Sequence, residues 1–167
     1  MIIGLTGSIA SGKSMVSQLL KDKGFTIIDA DVVSRLVVEP GSDTLIEIIK
    51  QFGNDIINPD GTLNREALGM IIFHHPAKRK QLNELMHPAI RHEMLKQRDE
   101  LIKQGVKTII MDIPLLFENK LQHFVEKILV VSVSAEIQLE RLMKRNSLSK
   151  VEAEIRIKSQ LPVSEKE

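Results

Sequence analysis

The chain has 167 residues, of which 43% are hydrophobic and 27% charged, and its formal net charge at neutral pH is +1. These values are ordinary for a globular domain with a proper core, and the balanced charge does not indicate a nucleic-acid surface. No apolar run is long enough to span a bilayer, and the absence of cysteine excludes disulfides and thiolate metal sites. We therefore expect a cytoplasmic protein with neither membrane nor nucleic-acid partners.

The first pattern in the chain is a short apolar strand at residues 2–6, followed by Gly-Ser-Ile-Ala-Ser-Gly-Lys-Ser and the start of a helix. The eight residues match G-x-x-x-x-G-K-[ST], the phosphate-binding P-loop, in the strand–loop–helix context that such a loop requires. We expect both glycines to adopt unusual dihedrals that let the backbone approach the phosphates of ATP. Contacts to the nucleotide are predicted for the loop and the residue after it, namely Gly7, Ser8, Ile9, Ala10, Ser11, Gly12, Lys13, Ser14 and Met15.

Within this loop two side chains have specific predicted roles. Lys13 supplies a point charge for the β- and γ-phosphates, and the hydroxyl of Ser14 binds Mg²⁺. The first turn of the following helix adds unpaired N–H groups and the positive end of its dipole.

Three further segments have the composition of strands, at residues 25–28, 107–112 and 127–132. The last two are continuous apolar runs, as is typical of strands buried on both faces. Helices are predicted at residues 135–145, after Ser134 as N-cap, and at residues 151–160. The pattern predicts a parallel α/β sheet with a helical insertion after its second strand.

The insertion is predicted to be nearly all helical. Ser42 and Asn64 have the position and the side chains of helix N-caps, and Asn58-Pro-Asp-Gly61 predicts a turn. His75-Pro76 is predicted to interrupt the helical region, and Pro88 is predicted to begin a new helix at its first turn.

Carboxylates follow two of the predicted strands at their carboxyl ends, where ligands bind in open α/β sheets. Asp29 and Asp31 follow the second strand and Asp112 ends the third. Asp31 is the stronger candidate for accepting a hydroxyl proton during phosphoryl transfer or holding metal-bound water, and the alternative for either aspartate is a helix N-cap. For Asp112 the alternatives are a contact to Mg²⁺ through water and hydrogen bonds to the backbone.

Two arginines on one predicted helix are candidates for contacts to phosphate. Arg141 and Arg145 are four residues apart, and therefore lie on one helix face. Arginines that close over a transferring phosphoryl group stabilise its charge and exclude water, whereas the alternative is a solvated face with ion pairs. His87 and Arg91 show the same spacing, although a His-Pro pair at a helix start is often only a cap.

Several longer motifs occur in a fixed order along the chain. After the P-loop come Asp29-Ala-Asp31 with Arg35, Val38-Glu-Pro-Gly41, Asp60-Gly-Thr-Leu63-Asn-Arg65, Leu85-Met-His-Pro88 with Arg91, Asp112-Ile-Pro-Leu-Leu-Phe-Glu118, and a helix at residues 138–145 with Gln160. Over essentially the whole chain, this ordered set resembles the dephospho-CoA kinase family, which belongs to the P-loop nucleoside and nucleotide kinases.

The resemblance implies ATP-dependent phosphorylation of the 3′-hydroxyl of the ribose in dephospho-CoA, the last step of CoA synthesis, with ATP and Mg²⁺ required. It implies catalytic roles for Asp31, Lys13 and Arg141, with Asp31 at the acceptor hydroxyl. It further implies that Arg141 and Arg145 are lid arginines over ATP. The acceptor-binding residues that it implies are Asp31, Arg35, His87, Arg91 and Leu115.

The resemblance also implies a domain organisation, that of a three-layer P-loop NTPase fold. The segments are a core at residues 1–31 and 105–134, a helical CoA-side insertion at 32–104, lid helices at 135–162 and a tail at 163–167. Family members usually continue into a fifth strand, an Asn-rich turn and a closing helix, so a C-terminal strand and helix are expected to be missing here. The chain also departs from the family pattern at Ser8, where glycine is frequent, and at Met15, where threonine commonly follows the P-loop serine.

Two other functions are compatible with a P-loop. One is a kinase that acts on another small hydroxyl or nucleotide acceptor. The other is a nucleotide-binding protein without catalytic activity, although the chain has no Asn-Lys-x-Asp motif for reading guanine.

Overall fold

The computed structural model describes residues 1–166, and of Val163 the backbone alone. Glu167, the last residue of the predicted tail, lies outside the described residues. The chain divides into two compact units. The first contains Met1–Asp29 and the chain from Glu100 onward, and the second is Ala30–Asp99. In the part of the chain that the structure describes, no helix combines the length and the apolarity needed to cross a bilayer.

The first unit contains a parallel sheet of four strands, β1 (Ile2–Gly7), β2 (Thr26–Asp29), β3 (Ile109–Asp112) and β4 (Lys127–Val131). Their order across the sheet is β2-β3-β1-β4. Asp112 is aligned with Leu5 of β1 on one side and with Asp29 of β2 on the other. The predicted α/β class with a parallel sheet is confirmed, and the carboxyl ends of β1, β2 and β3 meet at one edge of the sheet.

The two strands predicted to be buried on both faces differ. Every residue of β3 is buried, as predicted. The prediction is wrong for β4, in which Lys127 and Leu129 are exposed. The physical reason is its position, because β4 is one of the two edge strands of the sheet and, among the described residues, pairs with β1 alone.

Helix α1 (Lys13–Asp22) follows the P-loop directly. The sequence predicts that this helix stops near Lys23-Gly24, where glycine suits the C′ position, and this is confirmed. Gly24 has a φ of 85°, in the left-handed region that glycine adopts without strain. Backbone hydrogen bonds from Gly24 to the carbonyl of Lys21 and from Phe25 to the carbonyl of Leu20 close the helix and lead the chain into β2.

The second unit begins with α2 (Ala30–Leu36), α3 (Asp43–Phe52) and α4 (Arg65–Phe73), with a short 3-10 helix at Asn54–Ile56. Both predicted caps are confirmed. Ser42 Oγ accepts the N–H of Leu45 at 3.2 Å, and Asn64 Oδ1 accepts the N–H of Ala67 at 3.0 Å. The predicted turn is also present, with the N–H of Gly61 bound to the carbonyl of Asn58 at 2.9 Å.

The core of the second unit is a single apolar cluster. Its helices contribute one face each, as their periodicity predicts, and a short 3-10 turn adds Ile56. The buried members of the cluster are Val38, Leu45, Ile48, Ile56, Leu68 and Leu82.

Pro88 does not begin a helix, contrary to the prediction. One continuous helix of 28 residues, α5, runs over Pro76–Lys103 with Pro88 inside it. The predicted interruption at His75-Pro76 is confirmed, because α4 ends at Phe73 and Pro76 is the first residue of α5, where a missing N–H costs no helical hydrogen bond. The apolar positions on both sides of Pro88 keep helical spacing, and their packing outweighs the one hydrogen bond that Pro88 removes.

The chain then returns to the first unit through β3, a 3-10 helix at Gln122–Phe124 and β4. Two helices follow, α6 (Ala135–Asn146) and α7 (Lys150–Lys158), and then a short α8 (Val163–Lys166). Ser134 caps α6 as predicted, and Ser149 forms with Glu152 a capping box for α7 that the sequence reading overlooked. Helices α6 and α7 contact each other, with Leu142 and Ala153 fully buried, and we call this pair the α6–α7 hairpin.

Glu118, at the end of the Pro-Leu-Leu-Phe-Glu motif, holds the segment after the hairpin. Its Oε1 accepts the N–H of Leu161 at 3.2 Å and lies 2.7 Å from Nζ of the buried Lys166. Burial raises the pKa of the Glu118 carboxyl, but Lys166 and backbone N–H groups lower this pKa by more, so the net shift is downward. This contribution to stability is therefore fully present above the ordinary glutamate pKa and is lost as the pH falls below it, through the lowered pKa of the folded state.

We predict that Pro88→Ala raises the free energy of unfolding by about 1–3 kcal/mol, because alanine restores the N–H that bonds to the carbonyl four residues earlier and removes the proline ring from the helix interior. Pro76→Ala is the matched control, and its effect is expected to stay within about 0.5 kcal/mol because its position is the first of the helix. Urea unfolding followed by circular dichroism measures both. Equal effects of the two substitutions would contradict a continuous α5.

Candidate active site

The P-loop joins β1 to α1 as the sequence predicts. Gly12 is the N-cap residue of α1 and has φ 97°, in the left-handed region. Because glycine has no side chain, no side-chain oxygen of this residue caps the first-turn N–H groups, although its carbonyl oxygen accepts the N–H of Met15 at 3.0 Å. Those N–H groups and the positive end of the helix dipole form a site for an anion.

Gly7 is required for a different reason from Gly12. A Cβ atom at Gly7 would lie 2.7 Å from the carbonyl oxygen of Val131 and 2.7 Å from Ser11 Oγ, far inside van der Waals contact. We expected an unusual dihedral at Gly7, and this expectation is wrong, because the positive φ angles of the loop belong to Ala10 (61°) and Gly12. Ser8 has no positive φ either, which explains how a serine fits where the family often has glycine.

Lys13 and Asp112 form an ion pair at the carboxyl end of the sheet. Lys13 Nζ donates to Asp112 Oδ1 at 2.5 Å, and Asp112 is only 3% exposed. Within the described residues, the Asp112 carboxylate is bound by Lys13 and not by the backbone N–H groups that were one alternative for it. The P-loop lysine is thus fixed by β3, with its charge next to the loop and screened little by water.

The α6–α7 hairpin and Gln160, which follows it, contact the loop at Ile9 and Ser11. Gln138 Nε2 donates to the carbonyl oxygen of Ile9 at 2.8 Å, and the N–H of Ile9 donates to Gln160 Oε1 at 2.8 Å. Arg141 Nη1 donates to the carbonyl oxygen of Ser11 at 3.4 Å. One of the two predicted lid arginines is therefore already at the P-loop backbone.

Three other predicted residues of the first unit lie apart from these contacts. Arg145 is exposed, and its Nε donates to Asn146 Oδ1 at 2.9 Å. Leu115, in the turns that follow β3, is 39% exposed, and Met15 in the first turn of α1 is 79% exposed. Within the described residues, Arg141 is hydrogen bonded to the loop, whereas Arg145 is hydrogen bonded to Asn146.

The remaining predicted residues belong to the second unit. Asp31 lies within the first turn of α2, which begins at Ala30, so Asp31 does not precede the helix as an N-cap does. Arg35 is one helical turn further along, and the two side chains are on the same side of α2. Arg35 is exposed.

His87 and Arg91 are one turn apart on α5 and are each partly buried. Burial lowers the pKa of His87, and the positive charge of Arg91 lowers this pKa further. His87 is therefore neutral at neutral pH, and its ring can both donate and accept a hydrogen bond.

Within the described residues 1–166, no group of three or more His, Asp or Glu side chains has the arrangement of a metal site. Such a cluster is not what Mg²⁺ needs in kinases, where the ion is held mainly by phosphates and water with one or two protein oxygens. The exposed Ser14 in the first turn of α1 and the carboxylate of Asp112 beside Lys13 are oxygen donors of the appropriate kind.

Comparison with known proteins agrees with this geometry. The family model described as dephospho-CoA kinase matches residues 1–167. The chain belongs to the dephospho-CoA kinase family. The dephospho-CoA kinase of Bacillus anthracis is 49% identical over 165 residues, which are 99% of this chain and 82% of that protein. That of Oceanobacillus iheyensis is 52% identical over 166 residues, which are 99% of this chain and 83% of that protein.

Solved structures give the same result for the fold. The crystal structure of TT1252 from Thermus thermophilus superposes with a TM-score of 0.79 at 31% identity, covering 99% of this chain and 83% of that one. The dephospho-CoA kinase from Campylobacter jejuni gives a TM-score of 0.70 at 29% identity, covering 99% of this chain and 82% of that one.

Sequence reading missed three features of this dephospho-CoA kinase family site. Gln138 and Gln160 were part of the family motifs but received no role, and the Lys13–Asp112 ion pair was not foreseen. The signal for Gln138 was its spacing, because it precedes Arg141 by three residues and so lies on the same helix face. No local signal identifies Gln160, which lies two residues beyond α7.

We predict that Gly7→Ala weakens ATP binding about tenfold or more, because the added methyl group must displace the loop from the carbonyl of Val131. Gly69→Ala in α4 is the matched control, because a Cβ atom there meets nothing within 4 Å, and this variant should change the Kd by less than about twofold. Titration calorimetry with ATP measures both, and wild-type affinity in Gly7→Ala would contradict the close contact.

Proposed function

We propose that this member of the dephospho-CoA kinase family transfers the γ-phosphoryl group of ATP to the 3′-hydroxyl of the ribose in dephospho-CoA, giving CoA and ADP. The single observation that carries the proposal is the preformed P-loop, with Lys13 held at 2.5 Å from Asp112, in a chain that matches the family over its whole length. The new bond joins the acceptor oxygen to the γ-phosphorus, and the bond from that phosphorus to the bridging oxygen of ADP breaks.

The nucleotide side of the reaction uses the P-loop. We propose that the N–H groups at the start of α1 receive the phosphates and that Lys13 turns from Asp112 toward the β- and γ-phosphates. Little covalent chemistry is required of the protein in such a transfer, so positioning and electrostatic stabilisation provide most of the rate enhancement. Mg²⁺, held by Ser14 with Asp112 or Asp31 through water, supplies further positive charge for the phosphates when it is bound.

The acceptor side is assigned to the insertion at residues 32–104 and to Asp31. Asp31 accepts the proton of the 3′-hydroxyl or orients that hydroxyl toward the phosphorus. Arg35 and Arg91 carry positive charges suited to the diphosphate of dephospho-CoA, and the neutral imidazole of His87 can hydrogen bond to a hydroxyl or a base. Leu115 offers an exposed apolar surface for the same substrate.

The lid is assigned to residues 135–162. Arg141 exchanges its hydrogen bond to Ser11 for the phosphates, and Arg145, which is exposed, joins it when the lid closes. Closure would exclude water, which otherwise competes with the acceptor for the phosphoryl group. The reaction takes place in the cytoplasm and needs neither a nucleic-acid nor a membrane partner.

The acceptor is tested by ADP formation in the presence of Mg²⁺ with and without dephospho-CoA. We expect ADP to form only with dephospho-CoA and in a one-to-one ratio with CoA, because a closed site protects the γ-phosphoryl group from water. Adenosine, AMP and pantetheine serve as a control panel of hydroxyl acceptors. Equal turnover with another acceptor would favour the second kinase function, and ATP binding without any transfer would favour a non-catalytic nucleotide-binding protein.

Asp31→Asn is predicted to lower kcat by about 10²–10⁴ while the affinity for ATP stays near that of the wild type, because the proton acceptor is lost but the P-loop is unchanged. Asp43→Asn makes the same replacement in the first turn of α3 and controls for the lost helix-dipole interaction. The readout is single-turnover transfer to dephospho-CoA. Near-normal transfer by Asp31→Asn would remove Asp31 from its assigned role.

A further inference from the structure

One residue of the P-loop, Ile9, has both of its backbone polar groups bound by side chains of distant residues, and these groups belong to the two consecutive peptides on either side of its Cα atom. The carbonyl oxygen of Ile9 accepts from Gln138 Nε2 at 2.8 Å, and the N–H of Ile9 donates to Gln160 Oε1 at 2.8 Å. The partners fix the orientation of both amides, because a carbonyl needs a donor and an N–H needs an acceptor. Gln138 must present its NH₂ group and Gln160 its oxygen.

The two glutamines flank the α6–α7 hairpin in the sequence. Gln138 is in the first turns of α6, and Gln160 follows the end of α7. Helices α6 and α7 contact each other, and Leu142 of α6 and Ala153 of α7 are fully buried. Movement of the hairpin away from the loop, together with the residues that directly follow it, would therefore break both hydrogen bonds to Ile9.

Arg141 connects this arrangement to the phosphates. It lies three residues after Gln138, on the same face of α6, and Arg141 Nη1 is 3.4 Å from the carbonyl oxygen of Ser11. A Cβ atom at Gly12 would lie 3.5 Å from the same nitrogen. The bond between Gln138 and Ile9 therefore sets how far Arg141 is from the residue that starts the anion site.

We propose that Gln138 and Gln160 are positioning residues for phosphoryl transfer. Together they fix the two consecutive peptides that flank the Cα atom of Ile9, so that the P-loop and the arginine-bearing hairpin adopt one common geometry. Because the N–H of Ile9 is occupied by Gln160, the phosphates are assigned to the later N–H groups of the loop and to Lys13. Gln138 is 95% buried, so its amide is held in one orientation and loses little further entropy when ATP binds.

The two positions differ in the chemistry that they require, which permits a charge-matched test. A glutamate at position 160 keeps an oxygen that accepts the N–H of Ile9. A glutamate at position 138 replaces the donor and places carboxylate oxygens against the carbonyl of Ile9. Both substitutions add one negative charge beside the backbone of the same residue, Ile9, so the difference between them isolates the hydrogen bond.

The experiment compares Gln138→Glu with Gln160→Glu for ATP affinity by titration calorimetry and for kcat and KM in the kinase assay. We expect Gln138→Glu to bind ATP about tenfold more weakly than Gln160→Glu and to show a raised KM for ATP, because a buried carbonyl then faces a carboxylate. The KM for dephospho-CoA should be the same in both variants. Equal ATP affinities, or a loss of thermal stability in Gln138→Glu with unchanged ATP affinity and KM, would overturn the proposal.

The kinetic part of this inference rests on the proposed function, whereas the ATP-binding measurement does not. If the wild type fails to phosphorylate dephospho-CoA, the proposed function fails, and the difference in ATP affinity still decides the role of the glutamines. If Gln138→Glu does not fold, Gln138→Met is compared with Gln160→Met. Both remove the hydrogen-bonding groups at similar length, and wild-type ATP affinity in both would overturn the proposal.

Discussion

The physical constraint on which the site depends is that donors for a triphosphate must be in place before the charge arrives. The loop residues between β1 and α1, 8–12, have no secondary structure of their own to hold them, and ordering them on binding would reduce the affinity. In this protein the loop is fixed by protein contacts. Gly7 fits against the carbonyl of Val131, the backbone of Ile9 is bound by two glutamine side chains, and Lys13 is bound by Asp112.

The Lys13–Asp112 ion pair has consequences for both partners. Removing one member of a buried pair typically costs about 3–5 kcal/mol, because the other charge is left without compensation. When Lys13 turns to the phosphates, Asp112 therefore needs another positive charge or donor. A Mg²⁺ ion bound with the nucleotide would meet this need through bound water, which gives a physical reason for the predicted contact between Asp112 and the metal. On this proposal, ligand binding would exchange the partners of Asp112 and leave no charge unpaired.

Local sequence signals predicted the fold well where they act within a few residues. The caps at Ser42, Asn64 and Ser134 and the stop at Gly24 are confirmed, because a cap depends on one side chain and its nearest backbone. The predictions failed where contacts between residues that are distant in the sequence determine the local structure. Pro88 was predicted to begin a helix, yet apolar packing on both sides of it keeps α5 continuous. The burial of β4 depends on its position at the edge of the sheet, and the composition of β4 does not indicate that position.

The candidate site shows the same division. The motif predicted the strand–loop–helix arrangement correctly, and Arg141 donates a hydrogen bond to the loop backbone. Phosphate binding by the loop and by Arg141 stays a prediction. The dihedral expected at Gly7 was wrong, because its requirement is steric and comes from Val131, more than a hundred residues away along the chain. The contacts of Gln138 and Gln160 with Ile9 could not be predicted from the sequence for the same reason. Long-range hydrogen bonds of single side chains leave no periodic pattern in a sequence.

The most direct test of a preformed P-loop is amide hydrogen exchange, resolved residue by residue by NMR, in the protein without nucleotide. The N–H of Ile9 should already be protected, because it donates to Gln160, and ATP should add protection mainly at the first N–H groups of α1. In Gln160→Ala the protection at Ile9 should disappear while that at β3 remains. Rapid exchange at Ile9 in the nucleotide-free wild type, slowing only when ATP is added, would show that the ligand builds the loop and would contradict a loop held by the protein.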